Sequence, residues 1–89
     1  MKIREGFVLR DVGEKTFVVA VGDLSKEFRG MITLNRTGKE MWQMLEGGAD
    51  EKQIVEKFVE LYGEENREQI AQDVSAFVKK LGEDNILAE

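Results

Sequence analysis

Residues 31–38, Met-Ile-Thr-Leu-Asn-Arg-Thr-Gly, restrict this chain more than any other stretch. Met31 to Leu34 alternate as a strand does, with Ile32 and Leu34 on one side and Met31 and Thr33 on the other. The pattern then turns directly into a helix start. Asn35 or Thr37 supplies the cap, Thr37 with Glu40 three residues on fits a capping box, and Gly38 allows close packing at that point. Everything before this junction reads as β-structure, and everything after it reads as helix.

Upstream, Phe7–Val12 and Thr16–Val21 form an expected antiparallel hairpin with its turn around Gly13 to Lys15. The second of these strands is apolar on successive residues, which suits the central, more deeply buried position. Residues 22–27 form a loop with room for one helical turn, Phe28 tucks under the sheet, and Gly30 gives a bend into the third strand. Downstream, Met41, Trp42, Met44 and Leu45 make an apolar stripe that stops at Gly47-Gly48. A second helix starts at Asp50, with Gln53 at its third position, and buries Ile54, Val55, Phe58, Val59, Leu61 and Tyr62 before Gly63 ends it. The third opens with Asn66 and Gln69 as a cap pair and places Ile70, Val74, Phe77 and Leu81 within about 60° of arc. It ends across Gly82 to Asn85, and Ile86-Leu87 add a short strand or pack on the core. The order predicts one α+β domain over residues 1–89, a three-stranded antiparallel sheet followed by three α-helices.

Composition narrows the function. A chain of 89 residues has room for one core and no deep cavity. There is no Cys, so no disulfide, thiolate zinc site or cysteine nucleophile; there is no His, so no Ser-His-Asp relay and no usual transition-metal ligand. Ser25 and Ser75 lie in neither a nucleophile elbow nor a P-loop. The spacing of the carboxylates does not ask for a metal. The expectation is a protein without catalytic residues, metal or cofactor. The longest apolar run is the five residues Phe17 to Val21, against the roughly 20 that span a bilayer. Met1 is followed by charged residues and no apolar signal segment, so a cytoplasmic protein with no membrane partner is expected. Residues 1–39 carry a net charge of +3 and residues 40–89 a net charge of −8. An acidic helical half repels a phosphate backbone and favours a basic or mixed-charge partner.

The run Gly30-Met31-Ile32-Thr33-Leu34-Asn35-Arg36-Thr37-Gly38, then Trp42-Gln43-Met44-Leu45 and Glu46-Gly47-Gly48, resembles the coenzyme PQQ synthesis protein D (PqqD-like) family. Ile54, Tyr62, Asp73-Val74, Phe77, Leu81 and Ile86-Leu87 continue the resemblance over nearly the whole chain. The chain departs from the pattern at Ala88-Glu89, and at Asp84-Asn85, where a glycine is common. The resemblance implies a winged-helix-like fold and the role of a RiPP recognition element. Such domains are peptide chaperones that bind the leader of a ribosomally made precursor for a maturation enzyme, typically a radical SAM enzyme. The leader is implied to lie as an added strand along the third strand, in a groove against the third helix.

The residue chemistry agrees with that role. An edge strand offers unpaired N–H and C=O groups that an extended peptide can satisfy, while side-chain pockets supply selectivity. Candidate peptide-binding residues are therefore Arg29, Gly30, Met31, Ile32, Thr33 and Leu34 on the strand, with Gln69, Asp73, Phe77 and Lys80 on the third helix. Ile32, Leu34 and Phe77 also belong to the core, and Phe77 serves both. Asp73 and Lys80 share a flank of the helical wheel beside the core stripe. Trp42 reads as core or groove floor. A winged-helix DNA-binding regulator and a dimerising structural module are the alternatives. The third helix mixes Arg67, Lys79 and Lys80 with Glu68 and Asp73, a poor surface for nucleic acid. The expected oligomeric state is a monomer or a weak homodimer.

Overall fold

The computed structural model describes residues 2–28 and 30–88. In chain order the elements are β1 (Lys2–Ile3), β2 (Phe7–Val12), β3 (Lys15–Ala20), a 3-10 turn at Gly22–Lys26, and β4 (Ile32–Leu34). Then come α1 (Arg36–Glu46), α2 (Glu51–Tyr62), a 3-10 turn at Glu64–Asn66, α3 (Arg67–Glu83) and β5 (Leu87–Ala88). The three-stranded sheet has the order β2-β3-β4, antiparallel throughout, so β3 is central as its unbroken apolar content requires. The fold class is the expected α+β arrangement.

Register decides which side chains meet the helices. Val18 lies between Leu9 and Ile32, and Thr16 lies between Asp11 and Leu34. Val18, Thr16 and Leu34 are buried, whereas Thr33, on the alternate face, is exposed. The helices close over the inner face with Met41, Trp42, Leu45, Ile54, Phe58, Ile70, Val74 and Leu81. Phe28 tucks under as expected, packing edge-on against Phe7 at 5.0 Å, and Phe7 packs edge-on against Trp42 at 6.4 Å. Trp42 is fully buried. It is core, and its indole Nε1–H has no hydrogen-bond acceptor among the described residues.

Four local readings need correction. The strand expected from Met31 begins at Ile32, and Met31 stays exposed outside the ladder, because Val18↔Ile32 is the last pair that β3 makes with β4. The α1 cap is Asn35, not the Thr37–Glu40 box: Asn35 Oδ1 accepts from the Gly38 N–H at 2.8 Å and from the Thr37 hydroxyl at 3.2 Å. Asn66 and Gln69 do not cap α3. Asn66 Nδ2 instead donates to the Tyr62 carbonyl and Gln69 Nε2 to Asp73. The buried face of α2 is narrower than its apolar content, since Leu61 and Tyr62 on the last turn stay exposed. The capping box of Asp50 and Gln53 is present as read.

The helix stops follow from backbone chemistry. Gly48 takes φ +94° after α1, and the Gly48 and Ala49 amides bond back to Leu45 and Met44 in a Schellman pattern. Asn85 does the same job after α3 at φ +61°, with Ile86 N–H bonding back to Leu81. This explains the absent glycine there, since asparagine is the residue that next best tolerates the left-handed region. The turn delivers fully buried Ile86 to the core and sends Leu87–Ala88 along Lys2–Ile3 as an antiparallel β1–β5 pair. Arg4 ties this clasp, donating to the Asn85 carbonyl at 2.8 Å and pairing with Glu27 at 3.2 Å. No helix is long and apolar enough to cross a membrane among the described residues.

Candidate functional site

β4 pairs with β3 on one side, and its other side has no strand partner among the described residues. Extended backbone continues one residue further, because the cap Asn35 holds φ −81° and ψ −177°. Beside this edge lies a depression of about 460 Å³ lined by Glu14, Lys15, Thr33, Leu34, Asn35, Gly38 and Phe77. Phe77 is half-buried and comes from α3, so β4 and α3 both line the groove. Gly38 is what brings α1 close. A Cβ there would stand 3.1 Å from Asn35 Oδ1 and 3.6 Å from Leu34, against the very atom that caps the helix.

A second depression, about 240 Å³, lies between the three helices. Its lining is Thr37 and Met41 from α1, Phe58 and Tyr62 from α2, and Asn66, Gln69, Ile70 and Asp73 from the start of α3. Thr37 and Gly38 are consecutive, one in each lining. Asp73 and Phe77 are one helical turn apart, again one in each.

The candidate residues divide among these features. Thr33, Leu34 and Phe77 meet at the first depression. Ile32 and Leu34 direct their side chains into the core, so their contribution to an added strand is main-chain. Gly30 and Met31 are exposed at the head of the strand. Gly30 sits at a bend, but its φ lies outside the left-handed region and a Cβ there would meet open space. Arg29 lies outside the described residues. Gln69 and Asp73 meet at the second depression, joined by a hydrogen bond of 2.8 Å. Lys80 joins neither depression. Its Nζ pairs with Asp84, the C-cap of α3, at 3.0 Å, so Asp73 and Lys80, expected on one flank, each have a local partner of their own.

Sequence reasoning missed Glu14, Lys15 and Asn35. The signal was in the register: once Thr16 faces Leu34, the next residues along, Lys15 and Asn35, must stand together. It also missed the helical depression, which depends on how three helices splay and has no linear pattern.

Two groups of charges flanking the site are paired locally. Asp11, at the end of β2, accepts from the Thr16 hydroxyl at 2.6 Å and from Lys39 Nζ at 3.1 Å, which holds its carboxyl below the ordinary range, the Thr16 bond being the larger cause. This tie fixes the hairpin end against α1. At the head of α3, Arg67 binds Glu56 and Glu64, which raises its already high pKa further, and the same contact lowers that of Glu56. The helix therefore presents a neutralised arginine at its start. Among the described residues, no three Asp, Glu, His or Cys side chains cluster as a metal site would need.

The profile of coenzyme PQQ synthesis protein D (PqqD) matches residues 9–87. This chain belongs to that family. Among solved structures it is similar to one described as TbiB1 in complex with the TbiA(beta) leader peptide, at 21% identity and a TM-score of 0.76 over the full length of both chains. That likeness shows a common fold. No curated protein matches the chain. The PqqD family assignment agrees with the resemblance carried by residues 30–48 and by the two helices that follow.

Proposed function

We propose that this PqqD-family domain holds the leader of a ribosomally synthesised precursor peptide as an added strand on β4 and presents it to a modifying enzyme of the radical SAM class. The observation that carries this reading is the free edge of β4 lying directly beside a groove walled by Phe77. Added-strand binding draws affinity from main-chain hydrogen bonds and selectivity from flanking pockets, and this edge has both. The similar fold of TbiB1, described in complex with a leader peptide, supports a leader as the occupant. Gly30 to Leu34 form the rail, Arg29 precedes it in the sequence as a further contact, and Phe77 forms the wall. The domain binds and does not catalyse, acts in the cytoplasm where precursor and enzyme are made, and is monomeric when loaded, because a second copy pairing on β4 would occupy the same edge.

The test is a titration of the labelled protein with a synthetic leader of the precursor encoded beside it. Amides of residues 30–35 and 66–80 should shift together and saturate. Absence of shifts there would reject the reading. Association with the maturation enzyme is checked by sedimentation of the two proteins with and without that leader. A DNA-binding reading has less support, since Arg67 and Lys80 on α3 are both paired with carboxylates.

A further inference from the structure

We propose that the depression between the three helices is a second anchor site for the same peptide, taking one large apolar side chain with a Lys or Arg beside it. The proposal rests on the leader-binding reading and adds the chemistry that would make it selective.

The depression has a buried apolar floor of Met41, Phe58 and Ile70. Tyr62 forms one wall, packed edge-on against Phe58 at 5.6 Å with its hydroxyl donating to Glu40 at 3.3 Å. About 240 Å³ is open, more than the roughly 150 Å³ that admits a benzene ring. One aromatic or large aliphatic side chain fills it.

Position ties the depression to the β4 groove. Asp73 and Phe77 are four residues apart on α3, or about 6 Å along the axis, the reach of about two residues of extended chain. A peptide extended from the β4 edge past Phe77 toward Asp73 would reach the rim within about two residues.

Charge selects the neighbour of that side chain. Asp73 on the rim accepts one hydrogen bond from Gln69 and forms no salt bridge among the described residues. Nearby cations are engaged elsewhere, Arg36 with Glu40 and Arg67 with Glu56 and Glu64. The rim therefore carries uncompensated negative charge, within a half of the chain whose net charge is −8. A basic residue flanking the buried side chain complements it, and an acidic one is repelled.

Three capped dipeptides test this without knowledge of the precursor. Ac-Phe-Lys-NH2 should shift and saturate the amides of residues 37, 41, 70 and 73. Ac-Phe-Glu-NH2 should bind roughly fivefold more weakly, the scale of one exposed charge contact, and Ac-Ala-Lys-NH2 should give no saturable shift. Asp73→Asn should bring the first two within about twofold of each other by removing that contact. Gln69→Trp, made on the exposed rim, should plug the site and abolish both. No saturable shift at these residues, or equal binding of the Lys and Glu peptides, overturns the proposal. The encoded leader separates the two readings. Shifts at 30–34 with affinity unchanged in Gln69→Trp remove the second anchor and leave strand docking intact. No shifts at 30–34 remove strand docking, and with it the depression's role as its continuation, whatever the dipeptides show.

Discussion

β2 and β4 are the two outer strands of one sheet, and they differ in what surrounds them. β2 has six residues, all paired with β3, while β4 has three. By main-chain capacity β2 is the better partner for an added strand. Its far end, however, is tied down, with Asp11 bound to Thr16 and Lys39 and Val12 left exposed. β4 runs straight into α1 and shares a groove with Phe77 of α3. Unpaired backbone is common to both edges. In the proposed reading, a helix wall within reach of the peptide's side chains is what suits the shorter one to docking.

Proline substitution should break this asymmetry most strongly. Proline removes a donor and is tolerated in an edge strand only where the N–H points outward. Of Ile32→Pro and Thr33→Pro, the variant whose N–H faces away from β3 should remain folded and lose leader affinity by about ten- to a hundredfold. The matching outward position in β2, tested as Val8→Pro and Leu9→Pro, should leave affinity unchanged. Circular dichroism separates loss of fold from loss of binding. Next in size, Phe77→Ala removes the wall. Leader affinity should fall by about tenfold, with about 1–2 kcal/mol lost in urea unfolding because the ring is only half-buried.

The elements themselves were legible because each carries a local signal: alternation at Ile32–Leu34, the stripe of α1, and glycines at its end. The β1 strand was not. Two residues cannot show a period, and the partner of Lys2 is Ala88 at the other end of the chain. The cap of α1 stayed open between two adequate candidates, because Thr37 and Glu40 match a pattern while Asn35 holds the extended geometry a cap needs. The local partners of Asp73 and Lys80 were not read either. The wheel aligns them, but neighbours four residues away, Gln69 and Asp84, engage each first. The edge and Phe77 were legible, whereas the helical depression required three dimensions.

Smaller effects sharpen the junction that distinguishes β4 from β2. Asn35→Ala should cost about 1 kcal/mol in chemical unfolding, and Thr37→Ala much less, since only Asn35 accepts the Gly38 N–H. The reverse order would restore the Thr37 cap. The Asp11 tie gives the smallest signal. Its pKa is lowered in the folded state, so its contribution is complete above the ordinary carboxylate pKa of 3.8 and is lost as pH falls through the depressed value. Thermal unfolding of Asp11→Asn and the parent should therefore differ at pH 7, begin to approach as pH falls past 3.8, and converge once pH is below the depressed value. An unchanged difference at low pH would contradict the assignment.

The most direct test of the central claim is amide hydrogen exchange with and without the encoded leader. Binding should slow exchange at one or more outward-facing amides within residues 30–35 and leave residues 8–12 of β2 unchanged. Protection of β2 with none on β4, or no change on either strand at saturating leader, would contradict it.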